Sequence, residues 1–447
     1  MKKVALVSLG CDKNLVDSEV ILGKLLTREP CALVSPEEAE VVILNTCAFI
    51  EEACQESEAW IRKIVGLKKK HRAKKIVVAG CYVQRFRDSV VSLYPEVDLW
   101  VGVNDFPDLP YLLDRVLPKK VVADSPFYLY DHTTERVISG PPYLGFLKIA
   151  EGCNNRCSFC VIPAIRGPLR SRSIDSIVRE VENFLEMGVK EIILIAQDTA
   201  SYGVDLYGKR ALPDLLKTLD QLLSSEHWLR VLYFSPQGLS EEFLEVFANS
   251  KRVVKYLDIP LQHVDPDILV KMNRPAHIEK TFYFLRTMRK SIPQLFLRTT
   301  FMVGFPGESE SSFQKILLAM EELSFERAGV FAYSEQEGTP ASRLFPKVPA
   351  SLKTQRLKAV RKKQEEIMRK RHRALVGSTV EVIVEKGPLW ENNGSSRMLY
   401  YLGRSYGDAP DVDCEVKIQT RNKHLKPGTI CTMKVTAGKT YLLEGVL

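Results

Sequence analysis

The stretch Glu151-Gly-Cys-Asn-Asn-Arg-Cys-Ser-Phe-Cys160 sets Cys153, Cys157 and Cys160 in a C-x3-C-x2-C array within eight residues. Three thiolates this close can grip one metal centre. A four-iron four-sulfur cluster takes four cysteines when fully ligated, so three leave one iron open, as a catalytic zinc keeps one coordination position free. An open iron points to chemistry, whereas full ligation points to storage or electron relay. Spacing alone also admits a zinc knuckle short of a ligand, or a redox dithiol.

Outward from this array, the middle of the chain alternates strand-like and helical runs. Strands are expected at 145–150, 191–196, 230–234, 256–259, 296–303 and 329–333, with helices near 175–187, 213–223, 240–249, 278–291 and 309–323. Six strand–helix units fall short of a closed eightfold barrel, which predicts a partial (β/α)6 barrel with its site at the carboxyl ends of the strands. The cysteine loop follows the first strand. Gln197-Asp198-Thr199, Ser235-Pro236-Gln237, Gln262-His263 and Gly304-Phe-Pro-Gly-Glu308 follow the second to fifth. His263 alone reads as a hydrogen-bonded structural residue, and Gly304 with Gly307 as a tight turn; the shared rim is what suggests a pocket. Gly203-Val-Asp-Leu-Tyr-Gly-Lys-Arg210 is a near miss for a phosphate loop: it ends in Arg210 where Ser or Thr would hold magnesium, which argues against nucleotide hydrolysis.

The first third reads as an open parallel sheet with covering helices: strands at 3–9, 40–46 and 75–80, helices at 15–26 and 51–67. Cys11, Cys47 and Cys81 each fall just past the carboxyl end of a strand, where such sheets bind ligands. We read them as a second three-cysteine cluster site; each alone would pass for a small buried apolar residue. Cys31, Cys54, Cys414 and Cys431 show no such pattern. From 379 onward, about five short strands with turn residues between them predict a small OB-like β-barrel.

The chain has 447 residues and a formal charge of +8. Its length favours about three domains. Ten cysteines are too sparse for a disulfide scaffold, so a reducing, cytoplasmic setting is expected. The apolar run after Met1-Lys-Lys is shorter than a secretory signal requires, and no run approaches a membrane span. Between Ser351 and Arg373, ten Lys and Arg face only Glu365 and Glu366. This segment reads as a solvated helix face, or as a contact for RNA or an acidic protein. From Val376 onward nine basic residues meet eight acidic ones, little charge for a dedicated RNA module.

The cysteine array, with Phe159 at its aromatic position, resembles the radical S-adenosylmethionine signature. Ser8-Leu-Gly-Cys-Asp-Lys-Asn-Leu-Val-Asp-Ser-Glu19, Asn45-Thr-Cys47 and Ala79-Gly-Cys81 resemble the amino-terminal domain of the methylthiotransferases, and Gly403-Arg-Ser-Tyr-Gly-Asp-Ala-Pro-Asp-Val-Asp413 resembles their closing TRAM domain. The resemblance implies an α/β protein organised as a methylthiotransferase domain (1–124), a linker (125–142), a radical core with the basic helix (143–375) and TRAM (376–447). It implies two 4Fe-4S clusters: a radical one on the catalytic Cys153, Cys157 and Cys160, and an auxiliary one on Cys11, Cys47 and Cys81. Phe159, Gln197, Asp198, Gly304, Phe305 and Gly307 are then candidates for holding S-adenosylmethionine.

In the family's scheme one S-adenosylmethionine methylates a sulfur at the auxiliary cluster. A second is reductively cleaved, and its deoxyadenosyl radical takes a substrate hydrogen. Two substrates compete: a transfer RNA adenosine, and an aspartate of small-subunit ribosomal protein S12. Ser8 to Asn14, Ile149 to Cys153, Ile162 to Gly167 and above all Gln197-Asp-Thr-Ala-Ser-Tyr-Gly203 with Asp205-Leu-Tyr207 resemble the ribosomal-protein branch, since the transfer RNA branch tends to carry Asn where Asp198 stands. Ribosomal RNA, or an acidic flavodoxin or ferredoxin donating electrons, would suit the basic helix. A non-catalytic, metal-stapled RNA-binding protein is the reading of another class.

Overall fold

A computed structural model describes residues 1–70, 75–113, 119–393 and 396–447. The expected α/β class holds. The amino-terminal sheet contains, in chain order, β1 (Lys2–Ser8), β2 (Cys31–Leu33), β3 (Val41–Thr46), β4 (Lys75–Gly80), β5 (Leu99–Val101) and β6 (Lys120–Val121). They run parallel in the order β2-β1-β3-β4-β5-β6. Three strands were expected and six are present among the described residues, because β2, β5 and β6 are only two or three residues long and carry no readable period. Every residue of β3 is buried, as in a parallel strand covered on both faces.

The second sheet follows: β7 (Leu144–Lys148), then a two-residue pair β8 (Ala150–Glu151) and β9 (Arg170–Ser171) beside it, then β10 (Glu191–Ile195), β11 (Trp228–Val231), β12 (Val253–Asp258), β13 (Phe296–Val303) and β14 (Arg327–Ala332). β7 and β10–β14 form an open parallel sheet in the order β14-β13-β12-β11-β10-β7, the expected six-stranded partial barrel. The two-residue side-chain period sorts its faces. In β10, Ile192 and Leu194 pack into the core beneath the surrounding helices, while Ile193 and Ile195 face the barrel interior.

That interior is filled by its neighbours. Val16 and Val20 of the helix Asp12–Arg28 enter it, with Tyr130 of the connecting segment and Ile383 and Ala409 of the carboxy-terminal part. The helix therefore lies between two sheets, which explains why its polar Asn14, Asp17, Ser18 and Glu19 are buried along with its apolar residues. Glu19 pairs with Arg136 at 2.7 Å, and Arg136 with Glu180 at 2.8 Å, so segment 125–142 is tied to both sheets.

β15 (Thr379–Asn393), β16 (Ser396–Ser405), β17 (Glu415–Gln419), β18 (Ile430–Gly438) and β19 (Leu442–Val446) close into a small barrel. It is bolted to the parallel sheet by buried ion pairs: Glu191 of β10 binds Arg230 of β11 at 2.7 Å and Arg404 of β16 at 2.6 Å, and Arg327 donates to Asp408 at 2.9 Å.

The basic segment is the helix Ala350–Leu375. The structure reduces its free charge, because four of its ten cations turn inward. Arg356 is buried against Glu308, Lys363 pairs with Glu321, Arg371 with Glu326, and Lys353 donates to the Tyr333 carbonyl. Lys358, Arg361, Lys362, Arg369, Lys370 and Arg373 remain exposed. Among the described residues no helix is long and apolar enough to cross a membrane.

Candidate active site

The Cys153 loop leaves β8 through Gly152, whose φ of +79° and whose position, with an added Cβ only 2.0 Å from the Pro168 carbonyl oxygen, leave no room for a side chain. Asn155 donates to Asp198 at 2.8 Å, fixing the loop to the end of β10. Asp198 also accepts from Ser201 at 2.6 Å and Ser235 at 3.1 Å, so this buried carboxylate is an organiser of three loops. Phe159 meets the fully buried Phe305 edge-on, and Phe305 meets Tyr333. Burial pushes the Cys153 thiol up to about 11 and that of Cys160 to about 12, and raises Cys157. Metal ligation by these thiols would release protons.

Cys153, Cys157 and Cys160 line a cavity of about 330 Å³. Gln197, Asp198, Tyr233, Gln262, Arg274 and Arg298 add polar walls; Met302 and Phe331 add apolar ones. The side-chain carbonyl oxygens of Gln197 and Gln262 are buried without a hydrogen-bond partner. Tyr233 and Gln262 also hold left-handed backbone angles, φ +61° and +66°, a strain that concentrates at functional sites. Of the expected cofactor residues, Phe159, Gln197 and Asp198 line the cavity, whereas Gly304, Phe305 and Gly307 do not. Gly304 lies against Lys353 and Gly307 against Lys271. The loop they form is held from behind, where Glu308 accepts the Gly304 N–H at 2.9 Å, pairs with Arg356 and lies 3.3 Å from His263.

Cys11, Cys47 and Cys81 come together at the carboxyl edge of the first sheet. A Cβ added at Gly10 would stand 2.8 Å from Cys47 Sγ. Burial drives the Cys81 thiol up to about 12, with Arg166 opposing and both Cys47 and Cys11 adding to the rise, which places the three within electrostatic reach of one another. Asn14 ties the loops by donating to the carbonyls of Leu9 and Thr46, each at 2.9 Å. Among the described residues no group of three or more His, Cys, Asp or Glu forms the ligand shell of a single metal ion.

All three loops reach the second sheet. Beside Cys11, Asp12 accepts from the Tyr233 hydroxyl at 2.9 Å, and the Lys13 ammonium sits 3.1 Å over the Tyr233 ring. Just past Cys47, Phe49 and Ile50 line the cavity. In the helix that Cys81 opens, Arg85 donates to Gln336 at 2.7 Å, and Arg166 donates to Cys81 Sγ itself at 3.1 Å. Sequence reasoning missed Tyr233, Arg274, Arg298, Phe49 and Arg166 as individual residues. Only Arg166, inside Ile162-Pro-Ala-Ile-Arg-Gly167, had a local signal.

Comparison with known proteins agrees with this architecture. Residues 147–320 match the radical SAM superfamily, residues 3–102 the uncharacterized protein family UPF0004, and residues 376–447 the TRAM domain. The chain is 42% identical to a "Ribosomal protein uS12 methylthiotransferase RimO" of Pelotomaculum thermopropionicum over 99% of this chain and 98% of that protein. It is 41% identical to one of Syntrophotalea carbinolica, over 99% and 96%. Among solved structures, the radical S-adenosylmethionine methyltransferase TsrM from Kitasatospora setae shares the fold with a TM-score of 0.55, at 17% identity over 76% of this chain and 77% of that one. Full-length identity at this level, on three matched domains, shows that the chain belongs to the radical S-adenosylmethionine methylthiotransferases, among the relatives named for ribosomal protein uS12, and is an enzyme of that class.

Proposed function

We propose that this enzyme adds a methylthio group to the β-carbon of an aspartate in ribosomal protein S12, using two 4Fe-4S clusters and two molecules of S-adenosylmethionine. The observation that supports the reading is that the cavity lined by Cys153, Cys157 and Cys160 also takes Phe49 and Ile50 from the loop just past Cys47 into its wall. The donor sets fit the clusters: each site has three thiols, which leaves one iron of four without a protein ligand. The clusters and S-adenosylmethionine supply one-electron chemistry that acid–base groups lack for an unactivated carbon.

The chain's own residues then bind and orient. The unpartnered carbonyl oxygens of Gln197 and Gln262 are acceptors for N–H groups of the cofactor. Asp198 holds the cysteine loop through Asn155, while Phe305, between Gly304 and Gly307, supports Phe159 edge-on. Arg274 lies beside Cys157 and eases the ionisation of its thiol. Phe49, Ile50, Met302 and Phe331 give the cavity apolar walls. The six exposed cations of the helix Ala350–Leu375 suit an acidic partner, either a flavodoxin or ferredoxin electron donor or ribosomal RNA. These are components of the cytoplasm.

Anaerobically reconstituted protein, given S-adenosylmethionine, sulfide and reductant, is expected to add one methylthio group to S12, read by mass spectrometry. Modified transfer RNA with unmodified S12 would overturn the substrate. Iron should fall from about eight per chain to about four when Cys153, Cys157 and Cys160 are all replaced by Ala. Zinc, or a single cluster in the wild type, would support a metal-stapled RNA-binding protein instead.

A further inference from the structure

The helix Ile162–Arg166 stands between the two triads, and hydrogen bonds from its two ends reach a cysteine sulfur of each. The Ile162 N–H donates to Cys160 Sγ at 3.4 Å, and Arg166 Nη2 donates to Cys81 Sγ at 3.1 Å. The first is a backbone donor that no substitution at 166 removes. The second is a charged side chain, only 3% exposed, that reaches across from one sheet to the other.

Arg166 is held in place on all sides. Nη2 also donates to Asn14 Oδ1 at 2.5 Å, and Nη1 donates to Asp17 Oδ2 at 2.7 Å and lies 3.4 Å from Glu151 Oε2. Lys148 completes the group by donating to Asp17 and Glu151, each at 2.5 Å. Two cations and two carboxylates, none with more than 6% side-chain exposure, thus form a neutral buried quartet with one guanidinium edge left for sulfur. A planar fork serves Asp17, Asn14 and Cys81 together; the single ammonium of a lysine has neither the reach nor the geometry.

We propose that Arg166 is a positioning residue that fixes the Cys81 sulfur and makes the auxiliary cluster easier to reduce than its cysteine ligands alone would allow. The proposal rests on the two-cluster reading above. Hydrogen bonds to ligand sulfur and nearby charge are what set the potential of an iron–sulfur centre. A cation in a dry site stabilises the more negative, reduced state.

The test is a redox titration followed by electron paramagnetic resonance on full-length reconstituted chains. One background replaces Cys153, Cys157 and Cys160 by Ala to isolate the auxiliary cluster, and another replaces Cys11, Cys47 and Cys81. Arg166→Lys keeps the charge of the quartet and loses the fork. Arg166→Gln with Asp17→Asn removes one charge of each sign, and so keeps the interior neutral if the first variant folds poorly. Both are expected to move the auxiliary midpoint to more negative potential, with the radical cluster moving less than half as far and iron per cluster unchanged. An unmoved auxiliary midpoint in the iron-replete variants overturns the proposal, as does an equal shift of both clusters. A wild-type chain with no cluster on Cys11, Cys47 and Cys81 overturns the two-cluster reading itself, and the proposal with it.

Discussion

Replacing Glu191 by Gln should loosen the carboxy-terminal barrel from the parallel sheet. Glu191 is fully buried, with one carboxylate oxygen on Arg230 and the other on Arg404. Gln has the same shape but one acceptor oxygen, so an N–H2 group would face a guanidinium, donor against donor; Arg230 would lose its counter-charge and Arg404 would keep only Glu385. Breaking a buried pair in this way costs about 3–5 kcal/mol. The loss falls on the junction, since Arg230 also donates to the Tyr406 carbonyl at 2.9 Å and Arg404 to that of Asp408 at 2.9 Å.

Hydrogen exchange at the Gly407, Ala409 and Cys414 amides, which bond within this loop, should accelerate by about two to four orders of magnitude if local opening takes the full loss. A pH series supplies a second check. Burial works against the Glu191 charge, but Arg404 and Arg230 outweigh it and hold its pKa below the usual 4.5. A depressed carboxylate stabilises the fold above the unfolded pKa and loses that contribution as pH falls through the folded one. Docking in the wild type should therefore weaken only below about pH 4.5, and the Glu191→Gln chain should lack that step. Equal protection in the two proteins at pH 7 would refute the argument that this ion group holds the junction.

Gly10→Ala places a Cβ against Cys47 at a φ of +89°, so iron should fall by about half while the Cys153 site stays loaded, as counted by iron and sulfide analysis. Tyr233→Phe removes the hydroxyl that Asp12 accepts. The Asn14 and Leu15 amides, which bond to the Cys11 carbonyl, should exchange about tenfold faster, with the melting temperature of the whole chain nearly unchanged. In the metal-free chain at neutral pH, iodoacetamide should label exposed Cys11 at least about tenfold faster than buried Cys81, whose thiol is pushed up to about 12; equal rates by peptide mass spectrometry would contradict the burial argument.

The sequence alone determined the periodic parts: the strands of the partial barrel, the parallel amino-terminal sheet, the closing small barrel and the two sets of three cysteines at strand ends. Those features are local, because a strand declares itself by its apolar run and Cys153, Cys157 and Cys160 by their spacing. Tertiary structure alone decided which other residues meet them. The helix Asp12–Arg28 shows an ordinary amphipathic pattern, yet its polar face is buried too, because the helix enters the open barrel and Asp17 and Glu19 find Lys148 and Arg136 there. Arg166 reaches Cys81 across 85 positions of chain, and Tyr233 reaches Asp12 across 221. Gly304, Phe305 and Gly307 stand at the end of a barrel strand, as the pattern implied, but they do not line the cavity, and the neighbouring Glu308 is paired with Arg356. Charge was the least legible quantity: ten cations between Ser351 and Arg373 promised a basic surface, and four were neutralised or turned inward by partners that packing alone brought near.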